Sequence, residues 1–163
     1  YNGDRAGSRY YLVMQRKTFS DSDVDASSGH TSGRWGPGFT DELNSFMVNA
    51  FSKWKGLEIF ATYEIANGTS VFGAAEFEYS QIAVEALYRF GKNDEYFGGL
   101  RYNTVMNDND MSVDRFQVSA GAFLTDNIIL KLEYVDQNYT DFISKYGSNA
   151  GFDGIIVEAG VSF

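Results

Sequence analysis

Cysteine is absent from this 163-residue sequence, and proline (Pro37) and histidine (His30) occur once each. Without cysteine the chain can form no disulfide, and thiolate catalysis and cysteine metal sites are excluded. No stretch approaches the ~18 consecutive apolar residues of a membrane-spanning helix, which excludes a helical membrane protein. Basic residues are the minority, 13 against 22 acidic ones, and the net charge of −9 argues against nucleic-acid or anionic-lipid binding by bulk electrostatics.

Glycine and aromatic residues are abundant instead, with 17 Gly, 11 Tyr and 14 Phe, a composition that suits β-strands better than helices. Apolar and polar residues alternate along almost the whole chain, as in strands with two different faces. The alternation predicts strands at residues 8–16, 42–54, 57–65, 75–90, 95–105, 112–124, 128–138 and 153–163. Within the fourth, Phe77 and Tyr79 have the opposite parity, which indicates a β-bulge or a part of the strand above a membrane.

The connections between these strands alternate in length. The longer ones are residues 17–41, 66–74, 106–111 and 139–152, and the short ones are 55–56, 91–94 and 125–127. Outer-membrane barrels have short periplasmic turns and longer extracellular loops, and tilted strands of ~9–11 residues cross a bilayer. The sequence therefore predicts an all-β, antiparallel up-and-down transmembrane β-barrel of about eight strands, or the C-terminal half of a wider barrel.

This prediction treats residues 1–163 as a single domain with a periplasmic C-terminus and a long extracellular loop at residues 17–41. Because such a barrel must be exported and Tyr1 is not followed by a signal peptide, we expect the N-terminus to be processed or missing. The last strand shows the alternation most clearly. Ile155, Val157 and Val161 share one face, Glu158 lies on the other, and the sequence ends on Phe163.

Charged residues concentrate on the face that the alternation turns inward. At the middle of a bilayer each lipid-facing charge would cost ~2–4 kcal/mol, so these side chains are predicted to line the barrel interior. They are Glu58, Glu64, Glu85, Arg89, Arg101, Arg115, Lys131, Glu133 and Glu158. Two interpretations stay open. The four cations of this set form a basic stripe that favours anions on a pore wall, or they form salt bridges with the neighbouring glutamates.

Residue types for catalysis and metal binding are sparse. His30 is near Ser28 and Asp25 in a Gly/Ser-rich loop, but nothing in the pattern holds them in a fixed geometry for acyl transfer. The turn at residues 107–110 and the alternating acids at 21–25 offer oxygen ligands for Ca²⁺. Hairpin turns favour Asn and Asp for backbone reasons, however, and the turn lacks a full ligand set. We therefore expect no enzymatic activity, no cofactor and no metal site.

Several stretches together resemble the C-terminal part of Bacteroidetes-type porin-like outer-membrane proteins, some of which are labelled phosphate-selective porins. They are GLE and TYE within residues 56–64, GGLRYN at 98–103, DRFQ at 114–117 and KLEYV at 131–135. The resemblance covers roughly residues 34–163 and implies a location in the outer membrane of a Gram-negative bacterium. It also implies that the terminal Phe163 is a signal for the barrel-assembly machinery, and that this chain is part of a larger barrel.

The favoured functional prediction is a porin-like passive channel for small solutes, with a preference for anions if the basic stripe is real. The alternative is a non-conducting barrel with a structural or interaction role, such as a subunit of a larger outer-membrane complex. The expected partners are the lipid bilayer, the assembly machinery and, under the alternative, other outer-membrane subunits. A third hypothesis is a lipocalin-like ligand binder that is soluble without detergent. Strand number distinguishes the first two, because eight strands close around a filled interior whereas a wide barrel leaves a channel.

Overall fold

The computed structural model describes residues 14–16, 39–70, 73–141 and 150–162, and these form strands and turns without any helix. The strands are β1 (Met14–Arg16), β2 (Phe39–Trp54), β3 (Leu57–Ser70), β4 (Gly73–Phe90), β5 (Tyr96–Asn107), β6 (Ser112–Thr125), β7 (Ile128–Thr140) and β8 (Ala150–Val161). They form one sheet in the order β1-β8-β7-β6-β5-β4-β3-β2, and all neighbours are antiparallel. The predicted all-β antiparallel up-and-down architecture is confirmed.

The two ends of the sheet bear on barrel closure. β1 is only three residues long and pairs with β8, so the first and last strands are neighbours, as they are in a barrel. Among the described residues β2 pairs with β3 alone and not with β1, so the sheet is open. Closure into a transmembrane barrel stays a prediction. Residues 8–13 of the predicted first strand, residues 17–38 of the long loop and Phe163 lie outside the described residues.

The short turns lie where the sequence predicts them. Lys55 and Gly56 have φ angles of 44° and 84° and connect β2 to β3 as a two-residue hairpin. Two successive positive φ angles are what the right-handed twist of paired strands requires of such a turn. Residues 91–95 connect β4 to β5, and residues 126–127 connect β6 to β7. Local turn chemistry is therefore sufficient to place this end of the sheet.

The turn between β4 and β5 is held by a carboxylate. The backbone N–H of Asn93 donates to Glu95 Oε2 at 2.7 Å, and this hydrogen bond lowers the pKa of the Glu95 carboxyl below its ordinary value. Gly91 has a φ of 106°, and a Cβ there would lie 2.5 Å from Glu95 Oε2. Because the folded pKa is lowered, this contribution to stability is present at neutral pH and is lost as the pH falls through the folded pKa.

At the other end the strands are longer than predicted. The expected linker at residues 66–74 is wrong, because β3 continues to Ser70 and β4 begins at Gly73. The other expected linkers, 17–41, 106–111 and 139–152, are shorter than predicted. Strands include their residues 39–41, 106–107, 139–140 and 150–152. The proposed bulge at Phe77 and Tyr79 is also wrong, because β3 and β4 pair without a register shift from Thr69↔Glu76 to Leu57↔Tyr88.

The two faces of the sheet differ sharply in burial. We call the inner face the one that carries Ala83, Phe97, Gln117 and Val135, and the outer face the one that carries Val84, Leu100, Val118 and Val157. The register places all the buried side chains of the described residues on the inner face: Ala83, Phe97, Val113, Gln117, Glu133, Val135 and Gln137. Val135 is 0% exposed. A single-layer sheet buries side chains this deeply only where it curves around them, so the inner face is concave.

Gly121 shows how closely the inner face is packed. It lies opposite Phe97, whose ring covers it, and a Cβ at this position would contact that ring and lie 2.6 Å from the backbone oxygen of Leu130. The Phe97 ring also packs against Phe123, with the ring centroids 5.9 Å apart. An aromatic ring over a strand glycine is a recurring way to stabilise a position without a side chain.

We therefore expect Gly121→Ala to lower the free energy of unfolding by about 1–3 kcal/mol, because the Leu130 carbonyl belongs to the strand ladder and cannot move freely. Urea unfolding of the detergent-solubilised protein measures the change. Gly98→Ala on the outer face is the matched control, since a Cβ there meets only the Ser119 backbone oxygen at 3.9 Å. Equal stability of the two variants would contradict the close packing at Gly121.

Candidate functional site

The register places all of the predicted interior charges on the inner face. They are Glu58 and Glu64 on β3, Glu85 and Arg89 on β4, Arg101 on β5, Arg115 on β6, Lys131 and Glu133 on β7, and Glu158 on β8. This arrangement follows from the covalent geometry of a strand, in which residues two apart point to the same side. That the face lines a pore stays a prediction.

Carboxylates lie within ion-pair distance of Arg89, Arg101 and Lys131. The Arg89 Nε lies 3.4 Å from Glu58, which also binds Lys53 Nζ at 2.7 Å. Arg101 lies 3.6 Å from Glu85 across the β4–β5 pair. Acidic partners therefore compensate these cations, and the inner face carries charges of both signs in alternation.

Glu133 is the most buried of these charged groups, and its basic partner is Lys131. The Lys131 Nζ lies 2.6 Å from Glu133 and 3.9 Å from Glu158. The second carboxylate oxygen of Glu133 accepts a hydrogen bond of 2.7 Å from the Gln117 amide, and Glu133 is only 5% exposed. A buried carboxylate with two polar partners fixes the positions of the three side chains.

Glu64 and Arg115 lie on the part of the inner face that is farther from the short turns. Glu64 accepts a hydrogen bond of 2.7 Å from the Ser45 hydroxyl on β2. Arg115 is directly opposite Asn103 on β5 and Gln137 on β7, and is therefore a diagonal neighbour of Arg101. Arg115 is thus separated from Arg89 and Lys131, which lie nearer to the short turns.

Between these side chains the inner face forms a trough of about 320 Å³. Its charged lining consists of Glu85, Arg89, Arg101, Lys131 and Glu133. Gly99 also lines the trough, opposite Leu87 and Ser119, and a Cβ there would lie 2.8 Å from the Ser119 hydroxyl oxygen. The trough can therefore contact a small polar solute with both donors and acceptors.

The outer face is apolar and open. Of the exposed large apolar side chains in the described part of the chain, all but three lie on this face, and they include Leu100 (53%), Leu132 (52%) and Val157 (68%). Near the short turns the rings of Tyr88, Phe90 and Tyr96 form a stacked row, with centroids 6.2 and 5.7 Å apart. Toward the other end, Tyr63, Tyr102 and Tyr134 lie on the same face.

Beyond this apolar band, at the end of the sheet away from the short turns, the outer face becomes polar. The outward positions there are Asn67, Glu78, Asp114, Asp136 and Asp153. Asp114 accepts hydrogen bonds from the Tyr102 and Ser112 hydroxyls at 2.7 and 3.0 Å. The strands thus continue beyond the apolar band, and the outer face has aromatic side chains at two levels and a polar border at one end.

The inner face also carries residues that the charge pattern did not identify. Gln117 and Gln137 are buried there, at 8% and 2% exposure. Met47, Phe51 and Phe60 are the three large apolar side chains exposed on the inner face. A signal for two of these was available, because Met47 and Phe51 interrupt the apolar/polar alternation of β2.

The structure bears on the weaker candidates as well. In the turn at residues 107–110, the Asn107 side-chain oxygen accepts the backbone N–H groups of Asn109 and Met111 at 3.0 and 2.9 Å, which explains this residue by turn chemistry. No cluster of three or more His, Asp or Glu side chains within the described ranges is placed to hold a metal ion. None of the described segments is a helix long and apolar enough to cross a membrane. His30, Ser28, Asp25 and the acids at 21–25 lie outside the described residues.

Comparison of the chain with protein-family models, with curated proteins and with solved structures found no match. What the fold and the inner face define is a class of architecture: an antiparallel up-and-down sheet with a charged concave face and an apolar convex face.

Proposed function

We propose that this chain forms the wall of a porin-like β-barrel in the outer membrane of a Gram-negative bacterium and that the barrel passes small polar solutes. The proposal rests on the segregation of charged and apolar side chains to opposite faces of the sheet. The predicted interior charges all share the concave face, while nearly all exposed large apolar side chains share the convex one. In water, an apolar face of this size needs a covering layer, whereas lipid covers it in a membrane.

The strand lengths support the membrane part of the proposal. β2 to β8 contain 12 to 18 residues each, more than the ~9–11 that a tilted strand needs to cross a bilayer. The short turns then lie on the periplasmic side together with the C-terminus, as in the porin-like proteins that the sequence resembles. The assembly machinery of the outer membrane would recognise the C-terminal strand and its Phe163.

The ion pairs bear on the selectivity of the proposed channel. Arg89, Arg101 and Lys131 each lie within 4 Å of a carboxylate, so their charge is largely compensated. We therefore propose a weak preference for anions rather than a strong one, and passage of small polar solutes in general. Fixed charges of both signs also keep the trough hydrated, which passive diffusion of polar solutes requires.

Conductance of the full-length natural protein in a planar bilayer tests this proposal, and we expect stepwise current increases. Arg101→Glu should shift the reversal potential in a salt gradient toward cation selectivity, because it replaces the cation that lies 3.6 Å from Glu85 in the trough with a second carboxylate. Arg101→Gln, which removes the cation without adding an anion, should give a smaller shift in the same direction. Absence of current from correctly folded protein would contradict the channel.

One observation favours the second candidate function, a non-conducting structural or interaction barrel. Val135 and Gln137 are 0% and 2% exposed on the inner face, as in a small barrel whose interior is filled by side chains. The intact mass of the natural protein distinguishes the two. A mass near the 18.2 kDa of this chain favours an eight-stranded, filled barrel, and a mass of about twice that or more favours a wide channel.

A further inference from the structure

Among the described residues, three large apolar side chains are exposed on the charged inner face rather than on the apolar outer face. Met47, Phe51 and Phe60 lie on the charged inner face, with exposures of 51%, 65% and 41%. Phe51 and Phe60 are directly opposite each other in the β2–β3 pair, so they are cross-strand neighbours on this face. On a face that otherwise carries charges and buried groups, this aromatic pair offers ring surface to whatever occupies the interior.

The aromatic pair is continuous with an ion pair. Phe60 is directly opposite Glu85 on β4, and Glu85 is directly opposite Arg101 on β5. The side chains of Arg101 and Glu85 are 48% and 43% exposed, so their polar atoms are accessible from the interior. Phe51, Phe60, Glu85 and Arg101 therefore form one row across four neighbouring strands. At about 4.8 Å between strands, the row is roughly 14 Å long.

We infer that this row binds neutral carbohydrate, an inference that rests on the proposed function because the solute must reach the interior. The weakly positive C–H bonds on one face of a pyranose ring pack favourably on the negative face of an aromatic ring. Its hydroxyl groups both donate and accept hydrogen bonds, and the row provides a carboxylate acceptor and a guanidinium donor next to the rings. A site with a few polar groups beside aromatic surface is the usual composition of a small-molecule site.

The pairing of the charges selects a neutral ligand over an ion. Glu85 and Arg101 compensate each other, and on the neighbouring row Glu58 is shared between Lys53 and Arg89. A bound anion would have to compete with these carboxylates, and a bound cation with the basic groups. A polyhydroxylated ring can bind both members of an ion pair without separating them. The row of roughly 14 Å is longer than one pyranose ring, so the expected ligand is an oligosaccharide.

Isothermal titration of the full-length, detergent-solubilised protein with maltotriose and cellotriose tests the inference. We expect at least one of these neutral trisaccharides to bind and Phe60→Ala to weaken that binding about tenfold or more. Phe116→Ala is the matched control, because Phe116 is 44% exposed but lies on the outer face. The control should bind as the natural protein does. Phe60→Leu keeps the apolar volume without the ring face, so it should lose binding while keeping the fold.

Several results would overturn the inference. Folded natural protein that binds neither trisaccharide would do so, as would Phe60→Leu that binds normally. Binding of inorganic phosphate that is lost in Arg101→Gln and kept in Phe60→Ala would show an anion site instead. Because titration does not depend on current, the two proposals fail separately. Conductance without saccharide binding overturns this inference alone, and binding without conductance overturns the channel alone.

Discussion

Glu133→Ala should be among the most destabilising substitutions on the inner face, with an expected loss of about 2–3 kcal/mol in the free energy of unfolding. Glu133 is 5% exposed and binds both Lys131 at 2.6 Å and Gln117 at 2.7 Å. Removing the carboxylate takes a charged partner from Lys131 and an acceptor from the buried Gln117 amide. The Gln117 amide is buried and loses its acceptor, whereas the Lys131 side chain is 32% exposed, so solvent replaces part of its lost interaction.

Urea unfolding in detergent micelles measures this loss, and Glu85→Ala is the matched control. Glu85 also has a basic partner on the inner face, but its side chain is 43% exposed and the ion-pair distance is 3.6 Å. Solvent screens such a pair, so the control should cost less than about 1 kcal/mol. Glu133→Gln should fall between the two, because it keeps an acceptor for Gln117 without the charge. Similar small losses for both alanine variants would show that Glu133 is not buried in the native protein.

The sequence predicted the short turns and the parity of the strands because both are local properties. Gly56, Gly91 and Asp94 in the short turns have positive φ angles, which Gly and Asp tolerate better than most other residues. The period of two is fixed by strand geometry, so Glu85, Arg101 and Lys131 could be assigned to one face without knowledge of any partner strand.

The strand ends near Ser70 and Gly73 could not be predicted in the same way. The alternation was read from apolar outward positions, and it fades where Asn67 and Glu78 occupy the outer face. At that level the aromatic side chain of Phe77 lies on the inner face instead. Its ring stacks on the Phe39 ring, with the two centroids 4.6 Å apart. A strand that continues above an apolar band therefore looks like a linker in sequence.

The partners within the site could not be predicted either, because they depend on register and curvature. Lys131 pairs with Glu133 in its own strand, and Phe97 covers Gly121 on a neighbouring strand. The depth of the trough depends on how strongly β4 to β7 curve, which no local pattern specifies. The row from Phe51 to Arg101 similarly exists only because the register of four strands aligns it.

Val157→Arg should prevent stable insertion in lipid, whereas Glu158→Arg, one residue further along β8, should be tolerated. The two side chains are almost equally exposed, at 68% and 66%, but they lie on opposite faces. Val157 is directly opposite Leu132 in the apolar band, where an arginine in the bilayer would cost about 2–4 kcal/mol. Glu158 points to the inner face, where its ion pair with Lys131 is long, at 3.9 Å, and contributes little.

Folding into lipid vesicles, followed by the gel mobility of unheated samples, measures the folded fraction of each variant. In water, an arginine on an exposed strand position costs almost nothing, so the contrast between the two variants arises only from lipid. If both variants fold equally well and the natural protein stays in solution without detergent, the membrane wall is refuted. The apolar outer face then needs a protein partner to cover it, and a soluble ligand-binding sheet becomes the better interpretation of the charged trough.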